Sequence, residues 1–246
     1  MKKEAKILLE KALDSLVLSI EHFNRPWDKG RSEAVLILLD RSFELLLKAA
    51  IVYKGGRIRE KRARETFGFD KCVRVCISNS QVKCLDEEQA LTIQIINSLR
   101  DAAQHYILSI SEQQLYLYTQ AGVTLFNQLL KDVFGQSLAN HLPERVLPIS
   151  TKPPQTLEAV INAEFEDIKQ LLQPGSRKGL LARSKLRALA IVESSLRGER
   201  SQPSKSELTK ISKLIQSDRS WTDIFPGVAS LSLDTSGTGL TLFLFV

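Results

Sequence analysis

The chain has 246 residues, 43% of them hydrophobic and 25% charged, with a net charge of +6, the balance of a globular protein with room for one large core or two small ones. Three cysteines, Cys72, Cys76 and Cys84, are the wrong number for a disulfide framework, and no apolar run reaches the length of a membrane span. The amino terminus lacks a signal core, so a cytoplasmic, membrane-free protein is expected by default.

Lys3 to Phe23 is predicted to be the first helix, with Ile7, Leu8, Ala12, Leu16, Ser19, Ile20 and Phe23 as its apolar side. His22, near its end, reads as a helix-terminal side chain on backbone carbonyls. A turn over Asn24 to Gly30 follows, and then a second helix from Ser32, its expected cap, to Tyr53, stopped by Gly55-Gly56. This helix is apolar on most sides, which predicts the central helix of a bundle. Asp40, Glu44 and Lys48 stand four apart on it. They read either as a structural ion-pair ladder or as a polar strip supporting a site.

Gly55 to Thr66 carries Arg57, Arg59, Lys61, Arg62 and Arg64 with little apolar content. A flexible or extended loop is expected, either solvated or holding RNA phosphates. A short third helix spans Phe67 to Ser80, and its Cys72 and Cys76 read as buried free thiols rather than metal ligands. Asp86-Glu87-Glu88 opens a fourth helix with the charge its dipole favours, and no Gly or Pro interrupts it before Ile110. Its predicted buried face is Ile96, Leu99, Ala103, Tyr106 and Ile110, with Asn97, Asp101, Gln104 and His105 on another. Asp101 and His105 are neighbours at a spacing of four. Arg100 and His105, five apart, point about 140° away from each other on an ideal helix. Ser111 begins a fifth helix that ends at Gly135.

Pro143, Pro148, Pro153 and Pro154 mark a linker over residues 142–156 between a helical domain at 1–141 and a second domain at 157–246. The second domain is expected to hold helices at Thr156 to Leu172, Lys178 to Leu196 and Ser204 to Ser217. Leu180, Leu181, Leu186, Leu189, Ala190 and Val192 form the apolar side of the middle one, and Ser204 with Glu207 makes a capping box for the last. Strands are expected at Val228 to Leu233 and Leu240 to Val246, and helices followed by a hairpin resemble a winged-helix layout. The sequence stops inside an apolar strand, which either docks tightly or belongs to a longer protein. Between Gln173 and Lys213 ten Lys and Arg face three Glu, a local net of +7. That field reads either as a solvated helix surface or as a polyanion footprint that includes Arg177, Lys178, Arg183, Lys185 and Arg187.

Arg100, a polar residue, three spacers and His105 form an R-x-x-x-x-H pattern that resembles the signature of the HEPN superfamily. The run Phe43-Glu44-Leu45-Leu46-Leu47-Lys48-Ala49, the Phe134-Gly135 helix ending and Leu147-Pro148 are similar to a poorly characterised bacterial group within it. The resemblance covers roughly the first 150 residues. It implies a HEPN-like helical bundle that pairs as a homodimer; with the smaller α+β, winged-helix-like domain read from the layout of the second half, the expected protein is mainly α. The resemblance also implies metal-independent cleavage of single-stranded RNA without a cofactor, in a defence or toxin-like setting.

In such chemistry a base takes the ribose 2′-hydroxyl proton, an acid protonates the leaving oxygen and a cation stabilises the phosphoryl charge. An imidazole such as His105 suits either proton role, a guanidinium such as Arg100 suits phosphate, and Asp101 would orient one of them. Asn97, Gln104, Glu44 and Lys48 would support them. One histidine per motif suggests that two chains complete the site at a two-fold axis. Partners consistent with this reading are RNA, a neutralising or nucleotidyl-modifying protein, and DNA for the carboxy-terminal half. The alternative is a non-catalytic module that binds RNA, a nucleotide or a protein. No Gly-rich phosphate loop, metal-ligand cluster or nucleophile elbow is present in the sequence, which leaves kinase, NTPase and hydrolase readings without support.

Overall fold

The computed structural model describes residues 1–142, 157–173, 178–199, 202–217, 219–234 and 241–244. The protein is mainly helical. Residues 143–156, nearly all of the expected linker, lie outside the described residues, as do Arg177 and residues 235–240, which join the two expected strands and include the first residue of the second. Two compact units interleave along the chain. One comprises Met1–Ile93 with Gly122–Ile149, and the other Gln94–Ala121 with Ser150–Val246.

The first unit is built on a hairpin of α1 (Lys3–Phe23) and α2 (Arg31–Tyr53). Ala5, Leu9, Ala12, Leu13, Leu16, Ile20 and Phe23 are buried at helical spacing along α1, a stripe that must face another element to leave water. This corrects the expected apolar side at one position, because Ile7 is exposed. Ser19 lies in the stripe, and its hydroxyl donates to the Val35 carbonyl across the pair at 2.9 Å. At the turn Arg31 donates to the Phe23 carbonyl at 2.8 Å, with its guanidinium over the Phe23 ring. Gly30, in the left-handed region at φ +68°, caps α2 in place of Ser32, whose hydroxyl bonds Glu33 instead. The His22 expectation is also corrected: its Nδ1 is buried with no hydrogen-bond partner.

Phe43 in α2 is fully buried, edge-on to Phe126 at 5.9 Å. The helix ends where the Gly56 N–H reaches back to the Ile51 carbonyl at 2.8 Å. A Cβ on Gly56 would lie 2.8 Å from the Ile51 side chain, so only glycine fits. The basic loop after it is pinned rather than loose. Ile58 is buried, and its carbonyl accepts the Phe67 N–H at 2.7 Å. The remainder of this unit is α3 (Phe69–Ser78) with the first part of α4 (Glu87–His105) and the last part of α5 (Glu112–Phe134). Asp86 and Gln89 form a reciprocal cap at the start of α4.

The second unit contains the end of α4, the start of α5, α6 (Leu157–Leu171), α7 (Gly179–Leu196), α8 (Lys205–Gln216), and the single turns α9 (Trp221–Ile224) and α10 (Pro226–Ala229). Its central helix is α7, where Ala182, Leu186, Leu189, Ala190, Ile191 and Val192 are buried. Leu180 and Leu181, expected on that side, are exposed, because the buried stripe begins one residue later, at Ala182. The expected capping box at Ser204 and Glu207 is present and holds the Glu207 carboxyl below its usual range. Val228, expected in a strand, lies in α10. Strand pairing starts after it, with β1 (Leu231–Asp234) antiparallel to β2 (Thr241–Leu244) in the register Leu231 to Leu244.

Candidate functional site

α4 stops at His105, one turn short of the expected end at Ile110. Beyond it the chain turns to α7, where the Ser109 N–H faces the Ser184 carbonyl at 3.4 Å. This early stop corrects the predicted helix face. Ala102 is fully buried where Ala103 was expected, and Tyr106 is 46% exposed. The Arg187 guanidinium lies over the Tyr106 ring, 4.3 Å from Cζ to the ring centroid. Arg187 also donates to the Pro203 carbonyl at 3.1 Å.

Arg100 and Asp101 form an ion pair of 2.7 Å, and the guanidinium also donates to Gln104 Oε1 at 3.1 Å. The Arg100 side chain keeps about a fifth of its surface in water. Asp101 therefore orients the arginine, and the anticipated Asp101–His105 contact is not made. His105 is exposed at the helix end. Asn97 is half-buried. Ser98 ties α4 to its own unit: its carbonyl accepts from Gln202 at 3.0 Å, and its hydroxyl meets that of Ser195 at 3.3 Å. The helix end is thus a firm base for one oriented guanidinium and one open imidazole.

The expected RNA-binding residues divide sharply. Arg57, Arg59, Lys61, Arg62 and Arg64 are all exposed. Arg57, Arg59 and Lys61, together with Lys2, border a cleft of about 360 Å³ in the first unit. Arg59 is paired with Glu4 across that cleft at 3.1 Å. Lys178, just before α7, and Arg183 within it are exposed, but Lys185 and Arg187 do not belong to an outward basic face. Lys185 bonds Glu164 and Asp167 at 2.8 Å each. Burial disfavours its charge, yet the two carboxylates hold its pKa above the ordinary lysine value. Burial lowers the Arg187 pKa, partly offset by Tyr106. Glu44 and Lys48 pair with each other, and the Lys48 ammonium also donates to the Thr66 hydroxyl at 3.0 Å. They belong to the first unit, whereas Arg100 and His105 belong to the second.

A second cleft, about 340 Å³, lies in the second unit between α7 and α8 and is bordered by Glu193, Arg197, Lys210 and Phe225. Neither cleft includes Arg100 or His105. Among the described residues no group of three His, Cys, Asp or Glu could hold a metal ion, and no helix is long and apolar enough to cross a membrane.

The feature missed from the sequence is Tyr106 with its arginine lid. The residues from 106 to 110 contain no helix breaker, and only the tertiary contact with α7 reveals the turn.

Two family models match the chain. One, a domain of unknown function (DUF3644), covers residues 7–174, and the other, a domain of unknown function (DUF8611), covers residues 160–228. No curated protein and no solved structure matches it.

Proposed function

The chain belongs to the DUF3644 family, and we propose that it is a metal-independent, HEPN-type endoribonuclease whose site is the end of α4, in a defence or toxin-like role. The observation that carries this reading is the division of labour at that helix end. Arg100 is oriented by Asp101 and Gln104, while the His105 imidazole is exposed and not tied to Asp101.

One His105 would take the proton from a ribose 2′-hydroxyl. The freed oxygen attacks the adjacent phosphorus, and the bond to the 5′-oxygen breaks. A second His105, from another copy of the chain, would protonate that leaving oxygen. Arg100 would stabilise the phosphoryl oxygens, trading part of its contact with Asp101 for phosphate. Exposed Tyr106, Ile107, Leu180 and Leu181 in the same unit offer apolar area on which a second copy would close. The basic loop at 57–64, in the first unit, would be a separate place for RNA phosphates to bind. On this reading the α1–α2 hairpin with its neighbours is a HEPN-like bundle, and α8 followed by β1 and β2 is a winged-helix-like arrangement in an α+β domain.

The test is cleavage of single-stranded RNA in EDTA by the full chain, beside Arg100→Ala and His105→Ala. Products ending in 2′,3′-cyclic phosphate are expected from the wild type, with a loss of about 10²-fold or more in each variant. Equal activity in all three proteins overturns the site. A second reading, a binding module without catalysis, is favoured by the fact that Arg100 already has a carboxylate partner. RNA binding that survives both substitutions, with no cleavage in any protein, would decide for it.

A further inference from the structure

The three cysteines sit within one small region of the first unit, and two of them are a matched pair. The Cys76 carbonyl accepts the backbone N–H groups of both Cys84, at 3.0 Å, and Leu85, at 3.2 Å. A direct backbone hydrogen bond keeps two Cα atoms within roughly 5–6 Å, inside the Cα separation that disulfides span. Cys76 is fully buried near the end of α3, whereas Cys84 is half-buried in the segment that leads into α4. The Lys54 ammonium is anchored beside Cys84 by its bond to the Lys83 carbonyl at 2.6 Å. Cys72 is set apart: its Sγ contacts the Phe67 carbonyl at 3.8 Å and it is fully buried.

We propose that Cys76 and Cys84 are a peroxide-sensitive dithiol that closes to an intramolecular disulfide, with Cys84 as the attacking thiol and Cys76 as the resolving one. The Cys84 thiolate attacks one oxygen of a hydroperoxide. An S–O bond forms, the O–O bond breaks, and the departing oxygen takes up a proton and leaves as water or alcohol. The Cys76 sulfur, giving up its proton, then attacks the Cys84 sulfenic acid. The S–S bond forms, the S–O bond breaks, and the hydroxyl leaves with that proton as water. The two sulfurs together lose two electrons, and the peroxide gains them.

The surroundings assign the two roles. Cys84 is the half-exposed thiol, next in sequence to the residue that anchors the Lys54 ammonium, a cation that favours its thiolate, whereas Cys76 is fully buried, which disfavours charge there. Burial pushes the Cys72 thiol up to about 12, which leaves it inert.

Sequence makes the test direct. Lys71, Arg74 and Lys83 put the three cysteines on three different tryptic peptides. The full-length protein is treated with stoichiometric hydrogen peroxide, alkylated with iodoacetamide under denaturing conditions, digested without reductant and mapped by mass. The expected product is the Cys76 peptide joined to the Cys84 peptide, two hydrogens lighter than their sum and separated again by dithiothreitol, with Cys72 alkylated. In Cys76→Ala, dimedone is expected to capture a sulfenic acid at Cys84. Full alkylation of both cysteines after peroxide overturns the proposal, as does a bridge through Cys72 or between chains. A wild-type protein that shows the 76–84 bridge carries the proposal even if the alanine variant fails to fold.

Discussion

Glu193 brings a carboxylate to a position only 6% exposed, where it accepts the backbone N–H groups of Gly227 at 3.2 Å and Val228 at 2.9 Å and the Arg197 Nε at 2.7 Å. It serves α10 as a side-chain cap supplied from a distant helix, satisfying donors that the four-residue turn cannot satisfy itself. Gly227 is fitted to it, since a Cβ there would stand 2.9 Å from Glu193 Oε2. Replacing Glu193 by Gln removes the charge from two of these bonds and turns an amide donor toward a backbone donor. A loss of about 2 kcal/mol is expected in urea unfolding, with the position of α10 as the first casualty. None of this is visible in the sequence, because the partners lie 34 and 35 residues apart. The Ser204–Glu207 cap, by contrast, is legible from spacing alone, because its two partners are three residues apart within one turn.

The long helices could be read from the chain because each has to bury a stripe at a fixed period and stops at a residue that cannot continue it. α1 begins and ends where periodicity puts it, at Lys3 and Phe23. α2 shows the same logic in its core. Phe43 is fully buried against Phe126, so Phe43→Ala is expected to cost about 3–5 kcal/mol, and Phe43→Leu clearly less. Thermal unfolding of the two variants side by side would check the order. The end of α4 could not be read in this way. Just beyond it the chain makes a contact between residue 109 and residue 184, and no Gly or Pro at 106–110 marks the stop. The candidate site shares this limit. The Arg100 and His105 spacing is plain in the sequence, but the choice of Asp101 for the arginine rather than the histidine is a matter of which side chain reaches further. A guanidinium two bonds longer than an imidazole folds back over its own neighbour.

The overall charge of +6 overstates how much positive surface the second unit presents, because Glu164 and Asp167 from α6 draw Lys185 inward and Tyr106 covers Arg187. A count along the chain cannot see carboxylates that arrive from another helix. Two buried acids make the molecule sensitive to alkali. Burial raises the Cys72 pKa to about 12, and burial with the nearby Glu164 charge raises that of Tyr118. Both groups are neutral in the folded state and titrate at lower pH once unfolded. Their contribution is therefore fully present below the ordinary thiol and phenol values and is lost as pH rises above them. Each pH unit climbed beyond about 9 for Cys72 and about 10 for Tyr118 is expected to remove about 1.4 kcal/mol per group. Denaturant midpoints taken from pH 8 to pH 11 would check this, with Tyr118→Phe flattening the upper part of the slope. The interleaving of the two units has a practical corollary for anyone dividing the gene. Residues 94–121 are enclosed in sequence by the first unit yet packed with the second, so a cut near residue 142 severs the shorter stretch from its companions and leaves both halves incomplete. A piece meant to keep the helix end carrying Arg100 and His105 in its native surroundings has to retain α7 and Gln202, which hold Ser98, Tyr106 and Ser109.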